Sequence, residues 1–267
     1  MPKPAAVPPP ARRPTLSGLL LLAALALSVS AALAGPVPFE DGDSLPGLRE
    51  KIAQNGYRFT VKDTWVSRLP AHEREAMRSR GSRGMGARAA RVMAQGAGLP
   101  RRESLPAAFD WRDVGGKRYV GAVKNQGLCG ACYAFAAAAV AEGVYSVATK
   151  TTGTAVPDFS EQYIAFCLGT HGPYRDHFDG CGGADYDYAE LSALTAEGLP
   201  REAILPYTGA DNQTCPQTVA DNTVFSGWGR AGCLDTAAIK NAIMTYGPVD
   251  AAVNVTSAFD AYAGGVY

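Results

Sequence analysis

Histidine is scarce in this chain. Only three occur, His72, His171 and His177, and none follows residue 177. The last two fall in the loop between Cys167 and Cys181, among Gly172, Pro173 and Gly180, and read as solvent-facing loop residues; His72 lies in a charged connector. A metal centre made from His171, His177 and Asp179 lacks the ligand spacing such sites use, so neither metal nor cofactor is expected. An excess of charge is also missing, since 25 Lys and Arg balance 25 Asp and Glu. After the apolar run Leu19–Leu27, no second hydrophobic stretch is expected to span a bilayer. No internal repeat is visible.

What is present begins with an export signal. Lys3, Arg12 and Arg13 precede that apolar run, and Ala32-Leu33-Ala34 forms a small-x-small cleavage site before Gly35, so residues 1–34 read as a secretory signal peptide. Export places the protein in a secreted or periplasmic, oxidising compartment, where several of its six cysteines should pair. The balanced charge hides a division: residues 35–102 carry 13 basic against 7 acidic side chains, and residues 103–267 carry 9 against 18. A basic, Arg-rich stretch suits nucleic acid or anionic lipid, but here the acidic remainder of the chain is a ready partner, and neither of those is expected to bind.

Along the chain, Leu48 to Gln54 is a candidate amphipathic helix and Tyr57 to Val61 alternates like a strand. Residues 72–95 mix charge with glycine and read as a flexible, protease-accessible connector. Further on, Cys132 to about Thr149 is a helix, and a second runs from Tyr163 to Leu168 behind a cap at Asp158 or Ser160. A third covers Asp187 to Glu197, and a fourth Thr236 to Tyr246, capped by Asp235 and closed by Gly247-Pro248. Val249 to Val255 then reads as a strand. Helices precede strands, the pattern of an α+β protein with a helical lobe before a β lobe.

The chemistry concentrates at Cys132. It opens an almost unbroken apolar helix, so its sulfur sits where free N–H groups and the helix dipole favour negative charge. Leu105 to Arg112, Val123 to Phe135, Phe159-Ser160-Glu161-Gln162 with Cys167, and Gly180-Cys181-Gly182-Gly183 together resemble the papain-like cysteine peptidases, in order as well as wording. Cys129-Gly130-Ala131-Cys132-Tyr133 fulfils that family's local signature. The resemblance covers residues 105–267 and implies a two-lobe papain-like fold. It makes Cys132 the nucleophile, with Gln126 giving its side-chain amide to the oxyanion alongside the Cys132 N–H. It pairs Cys129 with Cys181 and Cys167 with Cys215, lays an extended peptide substrate along Gly182-Gly183, and sets Ala252 in the wall of a substrate pocket. Residues 35–102 take the place of an inhibitory propeptide, and 103–267 that of the peptidase domain, a monomer.

The chain also departs from the pattern. Tyr133 stands for the commoner tryptophan, Ala184 for a further glycine, and Cys233 has no partner in this scheme. The family's His and then Asn follow the cysteine by about 130–150 residues, yet neither occurs from Phe259 to Tyr267. The expectation is therefore a precursor whose helical lobe is complete, whose β lobe is truncated, and whose His and Asn lie beyond residue 267. Two other classes fit parts of the sequence. One is a papain-like scaffold that binds peptides without catalysis; the other is a thiol–disulfide oxidoreductase using Cys129 and Cys132 as its redox pair.

Overall fold

The computed structural model describes residues 35–78, 104–170, 177–184, 189–216, 223, 225–232 and 235–267. In chain order its main elements are α1 (Leu45–Gln54), β1 (Arg58–Val61), α2 (Ala71–Ala76), α3 (Cys132–Thr149), α4 (Ala189–Ala196), α5 (Thr236–Tyr246), α6 (Ser257–Asp260) and β2 (Tyr262–Val266). They divide into two compact units. Among the described residues, one joins 35–64 with Thr256–Tyr267, and the other runs from Trp65 to Val255.

In the first unit, Ser44 starts α1 by accepting the Gly47 N–H on its hydroxyl, and Pro46 occupies the first turn, where no N–H is needed. The helix turns Leu48 and Ile52 inward onto Phe59, Val61, Ala258 and Ala261. β1 pairs antiparallel with β2, from Arg58 opposite Val266 to Val61 opposite Tyr262, with a register irregularity after Thr60. Its alternation is exact, with Phe59 and Val61 buried and Arg58 and Thr60 exposed. Gly265 has φ +98°, and a side chain there would run into the Arg58 carbonyl, so this register requires glycine.

The second unit is built around α3. Ala134, Ala137, Ala138 and Ala141 form one buried stripe at helical spacing, and their small size lets Phe159, Ile164, Leu168, Ala193, Leu194 and Leu199 pack close to the helix axis. On the opposite side of the helix Gly143 faces Pro248, and a β-carbon there would lie 2.5 Å from the proline ring. Lys150, at φ 58°, ends the helix in a left-handed cap whose N–H reaches Ser146 O. Ser160 begins the next helical segment, its hydroxyl accepting the Tyr163 N–H at 3.0 Å, which settles the choice of cap against Asp158. That segment winds as a π-helix over Tyr163–Cys167. Asp235 caps α5 through the Ala238 N–H, and Trp111 Nε1 donates to Ile243 O at 2.7 Å in its last turn.

Two expectations need correction. Val249 to Val255 forms no strand: it has no ladder partner among the described residues, and Val253 stands 60% exposed. β-branched residues favour a sheet only where a neighbouring strand takes their backbone groups. The strand near the C-terminus is instead Tyr262–Val266, held by β1. The connector expected over residues 72–95 is helical at its start, in α2, and its remainder from residue 79 lies outside the described residues, as does the signal peptide.

Candidate active site

Cys132 is the first residue of α3, solvent-exposed and unpaired with any other cysteine. The turn before it is fixed covalently. Cys129 bonds Cys181 and Cys167 bonds Cys215, the two pairings that the family resemblance implied. Cys129 is thereby withdrawn from any redox partnership with Cys132, which removes the oxidoreductase reading. The same bond brings Gly180–Gly183 up to the start of α3, where a β-carbon on Gly130 would collide with Cys181 O. Gly183 adopts φ 110° and its carbonyl accepts the Asp179 N–H at 2.9 Å, so the Gly182-Gly183 edge folds back on its own loop.

Gln126 lies in the loop that leads to this turn. Its side-chain nitrogen donates to Cys129 O at 2.8 Å, which aims the amide across the start of α3, and to Met77 O at 2.6 Å. Arg78 O would approach to 2.7 Å of a β-carbon on Gly130. The segment after α2 thus passes directly over the residues in front of Cys132, and a backbone carbonyl of that segment holds the donor expected to serve an oxyanion.

Beneath the loop lies a charged cluster. Lys124 Nζ contacts Glu142 at 2.9 Å, Asp158 at 2.6 Å and Glu161 at 2.7 Å. Burial pulls the Lys124 ammonium down, but the hydrogen bonds it donates to Asp158, Glu161 and Glu142 outweigh this and leave it above its ordinary value. Burial pushes Glu161 up to about 7 and raises Glu142 and Glu202 as well. The Glu161 side chain is 2% exposed, and one oxygen each of Glu161 and Glu202 has no hydrogen-bond partner. Tyr207 joins the cluster, its N–H donating to Glu202 Oε1 at 2.6 Å and its hydroxyl to Gln126 O at 2.9 Å. Tyr133, in the tryptophan position, donates its hydroxyl to Gly180 O at 3.0 Å.

The structure therefore brings Gln126, Cys129, Cys132, Cys181, Gly182 and Gly183 to one place. Ala252 is exposed in irregular chain. Cys233 and His171 lie outside the described residues, and His177 is half-buried. Among the described residues no group of three His, Cys, Asp or Glu converges as metal ligands. Sequence reasoning missed Met77, Tyr207, Glu202 and the Lys124 cluster. Lys124 is two residues from Gln126, and that adjacency was the one available signal.

Comparison with known proteins agrees with this geometry. Residues 105–267 match the family described as papain family cysteine protease. The chain is 32% identical over 169 residues to a cathepsin L-like peptidase of Aedes aegypti, covering 63% of this chain and 46% of that one. It is 32% identical over 168 residues to cysteine proteinase COT44 of Brassica napus, covering 62% and 47%. It thus spans about half the length of these relatives. Among solved structures, digestive procathepsin L2 of Tenebrio molitor superposes with a TM-score of 0.64 over 93% of this chain and 79% of its own, at 23% identity. A recombinant stem bromelain precursor superposes at 0.58 over 93% and 77%, at 21% identity. These likenesses establish an α+β papain-like fold, and with a family match over more than half its length the chain belongs to the papain family of cysteine proteases.

Proposed function

We propose that this chain is the precursor of an exported cysteine peptidase, with residues 35–102 acting as its inhibitory propeptide. The observation that carries this reading is the hydrogen bond from Gln126 to Met77 O, beside an exposed, unpaired Cys132 at a helix start. In the active enzyme the Cys132 thiolate attacks a peptide carbonyl, and the Gln126 amide with the Cys132 N–H holds the oxyanion. A His general acid protonates the leaving amine, and water then hydrolyses the thioester. Gly182 and Gly183 offer backbone groups to an extended substrate, and Ala252 lines a side-chain pocket. No cofactor enters this chemistry, and the enzyme works as a monomer. Two disulfides fit an oxidising compartment and a secreted or periplasmic location.

Before maturation, the Met77 carbonyl sits on the donor that a substrate's oxygen would use. The test is peptidase assay of the full-length gene product with and without Cys132→Ser, plus addition of the isolated 35–102 segment to mature enzyme. The expected result is activity that a thiol-alkylating epoxide blocks, that Cys132→Ser abolishes, and that the added segment inhibits. Undiminished cleavage by Cys132→Ser would reject the peptidase reading, and absence of inhibition would reject the propeptide assignment.

A further inference from the structure

An oxyanion donor works only if it is held still, because its value lies in being aimed before charge develops. Gln126 is held from two sides. Its side chain is fixed by Cys129 O, within a turn locked by the Cys129–Cys181 bond. Its backbone carbonyl takes the Tyr207 hydroxyl at 2.9 Å, a contact across 81 residues of sequence. The next residue, Gly127, has φ 64°, and its N–H turns back onto Asn125 Oδ1 at 2.9 Å. Without a clamp on the Gln126 carbonyl, the peptide between Gln126 and this glycine has a low barrier to reorientation.

Tyr207 is well placed to be that clamp. Its ring stands edge-on to Phe135, with centroids 4.8 Å apart, and Phe135 belongs to the first turn of α3 together with Cys132. Its own N–H is anchored on Glu202. One side chain thus connects the helix turn that carries the thiol to the loop that carries the amide. Resting on the reading of Gln126 as oxyanion donor, we propose that Tyr207 is a positioning residue, its hydroxyl fixing Gln126 relative to the start of α3.

The experiment is a double-mutant cycle on the full-length, activated peptidase, measuring kcat, KM and thermal midpoint for Tyr207→Phe, Gln126→Ala and the pair. Tyr207→Phe keeps the ring on Phe135 and removes only the hydroxyl. It should lower kcat about five- to tenfold, the order expected for one lost hydrogen bond, with KM within about twofold. Gln126→Ala should lower kcat by roughly 10²–10³. In the Gln126→Ala background, Tyr207→Phe should have no further effect, since there is nothing left to position. Glu202→Ala, which frees the Tyr207 backbone but leaves its ring, should lower kcat in the same direction by less, and serves if Tyr207→Phe folds poorly. A Tyr207→Phe loss that persists undiminished without the Gln126 amide would overturn the proposal and leave the oxyanion assignment intact. An unchanged kcat for Gln126→Ala would instead overturn that assignment, and the proposal with it.

Discussion

Stability of the second unit should fall as pH rises from 5 to 8, and Glu161 is the reason. Its side chain is 2% exposed, and it shares the Lys124 ammonium with Glu142 and Asp158. One ammonium cannot neutralise three carboxylates and the nearby Glu202, and burial penalises each charge left over. Burial accordingly lifts Glu161 from its ordinary 4.5 to about 7. Between those values the folded protein keeps a proton that the unfolded chain has released. The resulting stabilisation is complete below about 4.5 and disappears as pH climbs through 7. A gap of this size corresponds to about 3 kcal/mol at roughly 1.4 kcal/mol per pH unit. For a unit of this size that amounts to a drop in thermal midpoint on the order of 6–12 °C. Glu142 and Glu202 are shifted in the same direction, also by burial. Asp43 and Asp110, held low by hydrogen bonds, act only in more acid solution. Thermal or urea unfolding at constant ionic strength across pH 5 to 8, for wild type and Glu161→Gln, reads the effect directly. A wild-type midpoint that stays level or rises across that range, or an unchanged slope in Glu161→Gln, would refute the reasoning.

Two further outcomes follow from packing and covalent structure. Replacing Cys167 and Cys215 together by serine opens a loop of 48 residues, for which the chain-entropy model gives about 4 kcal/mol, read as a lower urea midpoint under non-reducing conditions. Gly143→Ala would normally stabilise a helix by roughly 1 kcal/mol. Here the new methyl meets the Pro248 ring at 2.5 Å, so the sign should reverse to a loss of about 1–3 kcal/mol in the same unfolding measurement.

The sequence was most legible where one local rule decides the outcome. The bounds of α3 and α5 follow from apolar periodicity closed by Lys150 and by Gly247-Pro248, and the Asp235 cap needs only the three residues after it. Gln126 and Cys132 were visible because the signature places them in one short segment. What stayed hidden depends on partners distant in sequence. Val249–Val255 has a strand's composition, but strand formation is decided by a neighbour that it lacks among the described residues. Tyr207 sits in an unremarkable Leu-Pro-Tyr stretch, and its meeting with Gln126 is set by how Phe159 to Leu205 folds around α3. Charge counting suggested that residues 35–102 dock by electrostatic attraction. Among the described residues the contacts of this segment include backbone and apolar ones that a charge count does not register: β1 on β2 with Phe59 and Val61 buried in the first unit, and Met77 O on Gln126 in the second.

That difference bears on how the donor stays covered. A hydrogen bond between neutral groups contributes about 1 kcal/mol net, so Met77 O alone could hold Gln126 only a few times more often than water would. The carbonyl does not arrive from solution, however, because it belongs to the same chain as Gln126, 49 residues earlier. Tethering replaces free encounter by an effective concentration in the millimolar range or above, so a weak contact can be kept closed by strong contacts made elsewhere on the same chain. The consequence is that cutting the chain between Met77 and Gln126 should uncover Gln126 more often even if every residue of α2 is left unchanged. Substituting side chains of α2 should do far less, because the group that reaches Gln126 belongs to the backbone. Hydrogen exchange at the Gln126 side-chain amide, compared before and after a single engineered cut in that stretch, distinguishes the two, and protection that survives the cut would show that α2 holds its place without the tether.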